Sequence, residues 1–328
     1  MGDPRTAFGQ ALAELGLKDR RIIGLNADLS GSTKMDLLEK ATGANACRPA
    51  EYPRQFFNMG IAEQNMMGVA AGLAASGKIV FPSTFAVFAA GRVFDQIRQS
   101  IAYPKLNVKI VATHSGVSVG GDGASHQMLE DISIMTALPN MRVLAPVDAV
   151  EMREMVRTIA YIDGPFYLRT GRTKYPTLLP EDYEFKLGHA PVLREGDDLV
   201  LMAIGLMAEK ALQAAEKLAQ EGISARVVNM SSIKPLDLEC VQKACRTAGI
   251  VTVEEHNRVG GLGSRIASEV VRDRPVPMRF VAVDDTFGRS GDVDGLFLRY
   301  GLTADRIAEK ARELVRGKPA EEHDGTPT

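Results

Sequence analysis

The residues best suited to chemistry in this 328-residue chain gather between positions 58 and 127. Glu63 lies in NMGIAEQNMMGVAAGLAASG, residues 58–77, where it opens a small-residue stretch of helical period. A carboxylate in the first turn of a helix is favoured by the helix dipole. The same group set among Ile61, Met66 and Met67 is pushed toward its neutral form and can then act as a proton donor. Phe85 and Phe88 follow in KIVFPSTFAVFAAGRVFDQ. Three apart on a helix they share a face, and their flat rings can stack on a planar ligand at little entropic cost. Residues 112–127, ATHSGVSVGGDGASHQ, hold His114, Asp122 and His126 just beyond an apolar run, where parallel-sheet proteins place their ligands. These are two of the chain's five histidines, side chains that donate, accept or shuttle protons near neutral pH. A zinc site would need further ligands than this loop offers.

The combination has a family likeness. The G-I-x-E-Q segment, followed by T-F-x-x-F-A, resembles the pyrimidine-binding domain of transketolases and deoxyxylulose-phosphate synthases. The resemblance implies thiamine diphosphate as cofactor, with Glu63 hydrogen-bonded to its aminopyrimidine ring and Phe85 and Phe88 walling that ring. Gly91 stands where many transketolases carry a third aromatic. A carboxylic acid paired with the far ring nitrogen favours the imino tautomer and makes the cofactor's amine an internal base, so Glu63 must hold a proton. Residues 112–127 resemble the transketolase substrate loop A-T-H-D-S-x-x-x-G-x-D-G-x-x-H-Q. On that match His114 and Asp122 face sugar hydroxyls, and His126 lies close to the cofactor's amino group. Arg169, in FYLRT, matches the family's phosphate-binding arginine, a role suited to the bidentate guanidinium fork. Arg5 in DPRTAFGQAL and Ser32 in ADLSGST match two further phosphate contacts. Asp28 matches an acid near the cofactor and the subunit interface. VEEHNRVGGLGS, residues 253–264, is similar to the same region of transketolases and other thiamine-dependent dehydrogenase subunits. Its Gly-Gly-Leu-Gly run before a helix could cradle a phosphate through backbone N–H groups. The family uses this domain mainly as interface, so no catalytic role is assigned to His256.

The tripeptide Gly121-Asp122-Gly123 is not a metal site on this reading. Thiamine enzymes carry a G-D-G motif that ends in an Asn, and the corresponding window here, RVLAPVDAVEM, contains none. No metal ligand is expected in this chain. The resemblance therefore covers the second half of a conventional transketolase. A partner carrying the N-terminal half would hold the diphosphate and a Mg or Ca ion, and closed symmetry suggests an α2β2 heterotetramer.

The elements that must position these residues follow from alternating apolar runs and helical periods, which read as an α/β fold with parallel sheets and helices on both faces. Ala7, Phe8, Ala11, Leu12 and Leu15 mark one helical face. Strands are expected at 21–27, 78–81, 108–112, 142–145 and 166–168, with helices at 62–75 and 147–161. Residues 171–191 lack a clear period and suit a crossing between domains. The expected division is a pyrimidine-binding, transketolase-like domain at 1–187, a transketolase C-terminal domain at 188–317 and a disordered tail at 318–328. The second domain is expected to carry strands at 199–204, 225–229, 250–253 and 279–283. Its helices are a stripe of Ala208, Ala211, Leu212, Ala215, Leu218 and Ala219, and a closing helix at 304–315.

Composition excludes other classes. With 39 Lys plus Arg against 41 Asp plus Glu, the net charge of -2 lacks the basic field of a nucleic-acid binder. The apolar stretch 66–91 is interrupted by Lys78 and Pro82, so it reads as buried core and no membrane association is expected. Cys47, Cys240 and Cys245 are sparse and odd in number, which suits inert thiols in a reducing compartment. The N-terminus lacks the apolar core of a signal peptide, and a cytoplasmic protein is expected. The resulting expectation is a thiamine-dependent transketolase half that moves a two-carbon ketol unit from a ketose phosphate to an aldose phosphate, as in the pentose phosphate pathway. A synthase-like or 2-oxo acid dehydrogenase β-like role is the near alternative, disfavoured because the synthases usually carry an Asp-Arg pair where ATHSG has its histidine. A non-catalytic homologue is the distant one, disfavoured because Glu63, both phenylalanines and the H-Q ending are retained.

Overall fold

The computed structural model describes residues 1–42 and 54–315, so Cys47 and the tail 318–328 lie outside the described residues. Twelve strands are present among them: β1 Ile22–Asn26, β2 Phe56–Asn58, β3 Ile79–Phe85, β4 Lys109–Thr113, β5 Arg142–Leu144, β6 Phe166–Arg169, β7 Val192–Arg194, β8 Leu199–Ala203, β9 Ala225–Asn229, β10 Ser232–Lys234, β11 Ile250–Asn257 and β12 Met278–Val283. They build a seven-stranded sheet in the order β10-β5-β6-β4-β3-β1-β2 and a five-stranded sheet in the order β12-β11-β8-β9-β7. All pairings in the first sheet are parallel except β10 with β5, and all in the second except β7 with β9.

Central parallel strands are covered on both faces, which is why they read as continuous apolar runs. Every residue of β1, β3, β4, β6 and β8 is buried. The first helix, Pro4–Lys18, begins with Asp3 as N-cap, whose side chain accepts from the Arg5 N–H, and with Pro at the start of the helix. Its stripe of Ala7, Phe8, Ala11, Leu12 and Leu15 is buried as expected. In the helix Met207–Ala219, Ala214 is buried where Ala219 was expected, and Leu212 is half-buried.

Two features differ from the sequence expectation. Phe85 is the last residue of β3 and precedes the short helix Ala86–Ala90 that contains Phe88, so the two do not share a helix face. The division near Leu187 does not separate two sheets, because β10, from beyond that boundary, pairs with β5 and closes the edge of the first sheet. Val80 and Ile110 of the first sheet share one core with Val200 and Met202 of the second. The two halves of the chain therefore fold against each other. At the join, the buried carboxylate of Glu151 accepts from Ser231 Oγ at 2.6 Å, Val147 N at 2.7 Å and Asn229 Nδ2 at 3.0 Å.

Candidate active site

Register brings the chemistry to one edge. Asn26 of β1 lies opposite Ser83 of β3, Phe85 of β3 opposite Thr113 of β4, and Ala112 of β4 opposite Arg169 of β6. The carboxyl ends of these parallel strands thus open onto a common rim, the usual position for ligands in such sheets. At the end of β1 the chain turns through Asp28 at φ 59°. Its N–H donates to Asn58 Oδ1 and its Oδ1 accepts from Asn58 Nδ2, both at 3.0 Å. Buried Asn26 fixes the following loop by donating to Thr33 Oγ1 at 2.9 Å and Ser83 O at 2.8 Å, while its Oδ1 accepts from Leu29 N at 2.6 Å. That loop brings Ser32 to Arg5, whose Nη1 donates to the Ser32 carbonyl at 3.2 Å. Asp3 grips the same guanidinium at 3.1 Å. Arg5 and Ser32, the two further phosphate contacts of the resemblance, thus lie next to each other.

The aromatic groups form a box. Phe85 and Phe88 stack with ring centroids 5.9 Å apart, and the His114 ring stacks on Phe85 at 3.7 Å. His126 presents its edge to both phenylalanines, at 6.2 Å and 5.7 Å. Each imidazole is oriented by its neighbour: His114 Nδ1 lies 2.9 Å from Thr113 Oγ1, and His126 Nδ1 lies 3.0 Å from Ser125 Oγ. Burial pushes the His114 pKa down to about 3, helped by the charges of Arg5 and Arg172. His114 is therefore a neutral imidazole across the physiological range.

Glu63 begins the helix Glu63–Ala75 and is only 4% exposed. Met66 and Met67 are fully buried beside it in sequence, but Ile61 is 79% exposed and contributes nothing to an apolar surround. The group facing the carboxyl is instead Arg92, whose Nη1 lies 3.3 Å and 3.4 Å from the two oxygens. The Arg92 guanidinium also lies 4.2 Å over the Phe88 ring. The surround expected of Glu63 is thus only partly apolar: a guanidinium, in place of Ile61, faces its carboxyl.

Asp122 is exposed on the loop and lies 3.4 Å from Arg172 Nη1, which also donates to Val119 O at 2.9 Å. Arg169 is not at the rim. It is 4% exposed, with Nε bonded to both Asp131 oxygens at 2.9 Å and 3.1 Å and Nη2 to Glu255 O at 2.9 Å. Tyr167 completes the arrangement by donating to Asp131 at 3.0 Å. The phosphate contact implied for Arg169 is not what its surroundings show: as the last residue of β6 it points into the fold. Arg172, beyond the strand end, is 44% exposed at the rim. Both arginines occur in FYLRTGRTK, and only the end of β6 tells them apart.

Residues 3–177 match the family model for the transketolase pyrimidine-binding domain, and residues 188–307 match that for the transketolase C-terminal domain. The chain belongs to the transketolase family. It is 46% identical to a protein of Methanocaldococcus jannaschii named "Putative transketolase C-terminal section", over 95% of this chain and 96% of that protein. It is 41% identical to the "6-deoxy-6-sulfo-D-fructose transketolase subunit SqwH" of Clostridium sp. strain MSTE9, over 96% of this chain and 95% of the relative. Among solved structures, one described as "Split gene transketolase, inactive beta4 tetramer" matches with a TM-score of 0.86 and 47% identity, covering 97% of this chain and all of that one.

In this transketolase-family chain the C-terminal half also shapes the rim. Gln127, at the end of the substrate-type loop, donates from Nε2 to Val117 O at 3.2 Å, Gly120 O at 3.3 Å and Arg289 O at 2.8 Å. Glu255 accepts from both the N–H and the hydroxyl of Ser118, each at 3.1 Å. Gly116, at φ 79°, is required where the loop crosses that carboxylate, because any Cβ there would collide with it. The Gly-Gly-Leu-Gly run, which could have cradled a phosphate, already holds a carboxylate. Glu254 accepts from Leu262 N at 2.7 Å and Gly263 N at 2.9 Å, so the start of the helix Leu262–Asp273 carries its own anion. His256 is fully buried 3.8 Å from Asp131, away from solvent. Among the described residues no group of three or more His, Cys, Asp or Glu could hold a metal ion, and no helix is long and apolar enough to cross a membrane.

Proposed function

We propose that this chain is the catalytic half of a thiamine-diphosphate-dependent transketolase, transferring a two-carbon ketol unit from a ketose phosphate to an aldose phosphate. The observation that carries this reading is a buried carboxyl, Glu63, joined through the Arg92 guanidinium to an aromatic box of Phe85, Phe88, His114 and His126. The donor set fits an aminopyrimidine: a carboxyl for a ring nitrogen, flat faces for stacking and an imidazole for an amino group. When bound, the cofactor supplies the carbon nucleophile and the electron sink that ketol transfer requires.

This chain's own residues then bind, orient and hold protons. Glu63 carries the proton shared with the ring nitrogen, and His126 exchanges hydrogen bonds at the amino group. His114 accepts and donates at a sugar hydroxyl without changing charge, and Asp122 accepts from another. Arg172, in place of Arg169, and Arg5 with Ser32 receive the anionic terminus. Asp28, held by Asn58 at the rim, faces the region where a second subunit would close the site.

The window RVLAPVDAVEM lacks the Asn that ends a G-D-G metal motif, and the reading assigns the diphosphate and the Mg or Ca ion to an N-terminal partner subunit in an α2β2 assembly. The relative described as an inactive beta4 tetramer supports a chain that is inert by itself. A relative named for a sulfonated sugar supports an anion-terminated substrate, whether phosphate or sulfonate. Sparse cysteines suit a cytoplasmic setting. The test is ketol transfer between xylulose 5-phosphate and ribose 5-phosphate by the complex with its N-terminal partner. Glu63→Ala should lower the rate by about a hundredfold to ten-thousandfold, the usual worth of a positioned proton donor. Undiminished transfer by the variant complex would sink the reading.

A further inference from the structure

The Glu63 carboxyl is under two incompatible demands. The ion pair with Arg92 exists only while Glu63 is a carboxylate, whereas the contact with a pyrimidine nitrogen, in the function proposed above, needs the proton in place. The same guanidinium covers a face of Phe88 at 4.2 Å, about the separation at which a flat ring would stack there. Guanidinium and ring cannot both hold that face.

The surroundings allow the side chain to leave while its backbone stays. Arg92 is 47% exposed, and Glu63 and the Phe88 ring are the partners its guanidinium shows among the described residues. Its carbonyl is anchored by Gln64 Nε2 at 2.9 Å, next to the carboxyl it guards. The preceding Gly91 carries no side chain to crowd it: a Cβ there would meet only the Val87 carbonyl, at 3.8 Å.

We propose that Arg92 is a positioning residue that occupies the pyrimidine side of the site before the cofactor arrives and keeps Glu63 in its carboxylate form. Entry of the ring displaces the guanidinium from Phe88 and breaks its contacts with both Glu63 oxygens. One proton from solvent then forms an O–H bond on Glu63, and the Arg92 cation passes to water. No electrons change hands. This inference rests on the thiamine-dependent reading.

The test is titration calorimetry of thiamine diphosphate with Mg into the complex with the N-terminal partner, in two buffers of different ionisation enthalpy, which counts protons taken up per site. The wild-type complex should take up close to one proton. Arg92→Ala should bind the cofactor about twofold to fivefold tighter, the worth of a half-exposed ion pair, with a smaller uptake. Arg92→Lys should move the uptake back toward the wild-type value. Unchanged uptake and affinity in Arg92→Ala, or weaker binding, overturns the inference. Absence of cofactor binding by the wild-type complex would instead overturn the functional reading and this inference with it.

Discussion

Two arginines three residues apart in one motif have opposite fates. Arg169 neutralises Asp131 inside the fold, and Arg172 sits beside Asp122 at the rim. Arg172→Ala should raise KM for an anion-terminated sugar by roughly tenfold to a hundredfold and leave Tm unchanged, since charge-assisted contacts contribute about 1.5–3 kcal/mol. Arg169→Ala should do the reverse: it strands the Asp131 charge in the core and costs about 3–5 kcal/mol of stability. Steady-state kinetics and thermal melts on both variants decide the assignment. Glu63, Phe85, Phe88, His114 and His126 were legible in the sequence because their spacing survives in short motifs. Arg92 was not singled out, because it lies beyond the T-F-x-x-F-A segment and its contact with Glu63 is made only in the fold.

The elements were largely legible too. The expected strands at 21–27, 108–112, 225–229 and 279–283 fall on β1, β4, β9 and β12, since buried parallel strands carry continuous apolar runs. The three-residue strands β2, β7 and β10 were missed, because so short a run carries no periodicity, whereas the equally short β5 was legible from the apolar run that follows Arg142. The loop carrying His114 and His126 is held at its end by Gln127, and Gly288 of the C-terminal half lies directly against the Gln127 amide. Gly288→Ala would drive a methyl group into that amide and loosen its grip on Val117 and Gly120. The expected outcome is a kcat/KM loss of about tenfold or more from misplacement of the loop, with faster amide hydrogen exchange across residues 117–127. Wild-type exchange in that segment would contradict a clasping role for the C-terminal half.

At the scale of the molecule, the two halves meet through buried acids. Burial pushes the Glu151 carboxyl up to about 7 from 4.5, outweighing its hydrogen bonds to Ser231, Val147 and Asn229. A raised folded-state pKa means the folded chain binds the proton more tightly than the unfolded one. The stability that Glu151 contributes is fully present below pH 4.5 and is lost as pH rises through about 7, by roughly 3 kcal/mol at most. Glu254, also raised to about 7 by burial, acts in the same direction, while His114 and His256, lowered by burial, act oppositely below pH 6.5. Comparison with Glu151→Gln isolates one contribution: between pH 4.5 and 7 the variant's stability should fall less with rising pH than that of the wild type. Parallel urea-denaturation curves across that window would contradict it.

Sequence alone determined the α/β class, the family, most strand positions and the identity of the aromatic and imidazole residues at the rim. Each of these is written in local spacing or in a contiguous motif. Tertiary structure alone decided which arginine meets solvent and that Glu254 already fills the start of the glycine-rich helix. It also decided that β10 crosses from the second half into the first sheet and that Arg92 faces Glu63. The physical reason is the same in each case: a charge or an unpaired edge is satisfied by whichever group folding brings near, and that group lies far away in the chain or outside any motif.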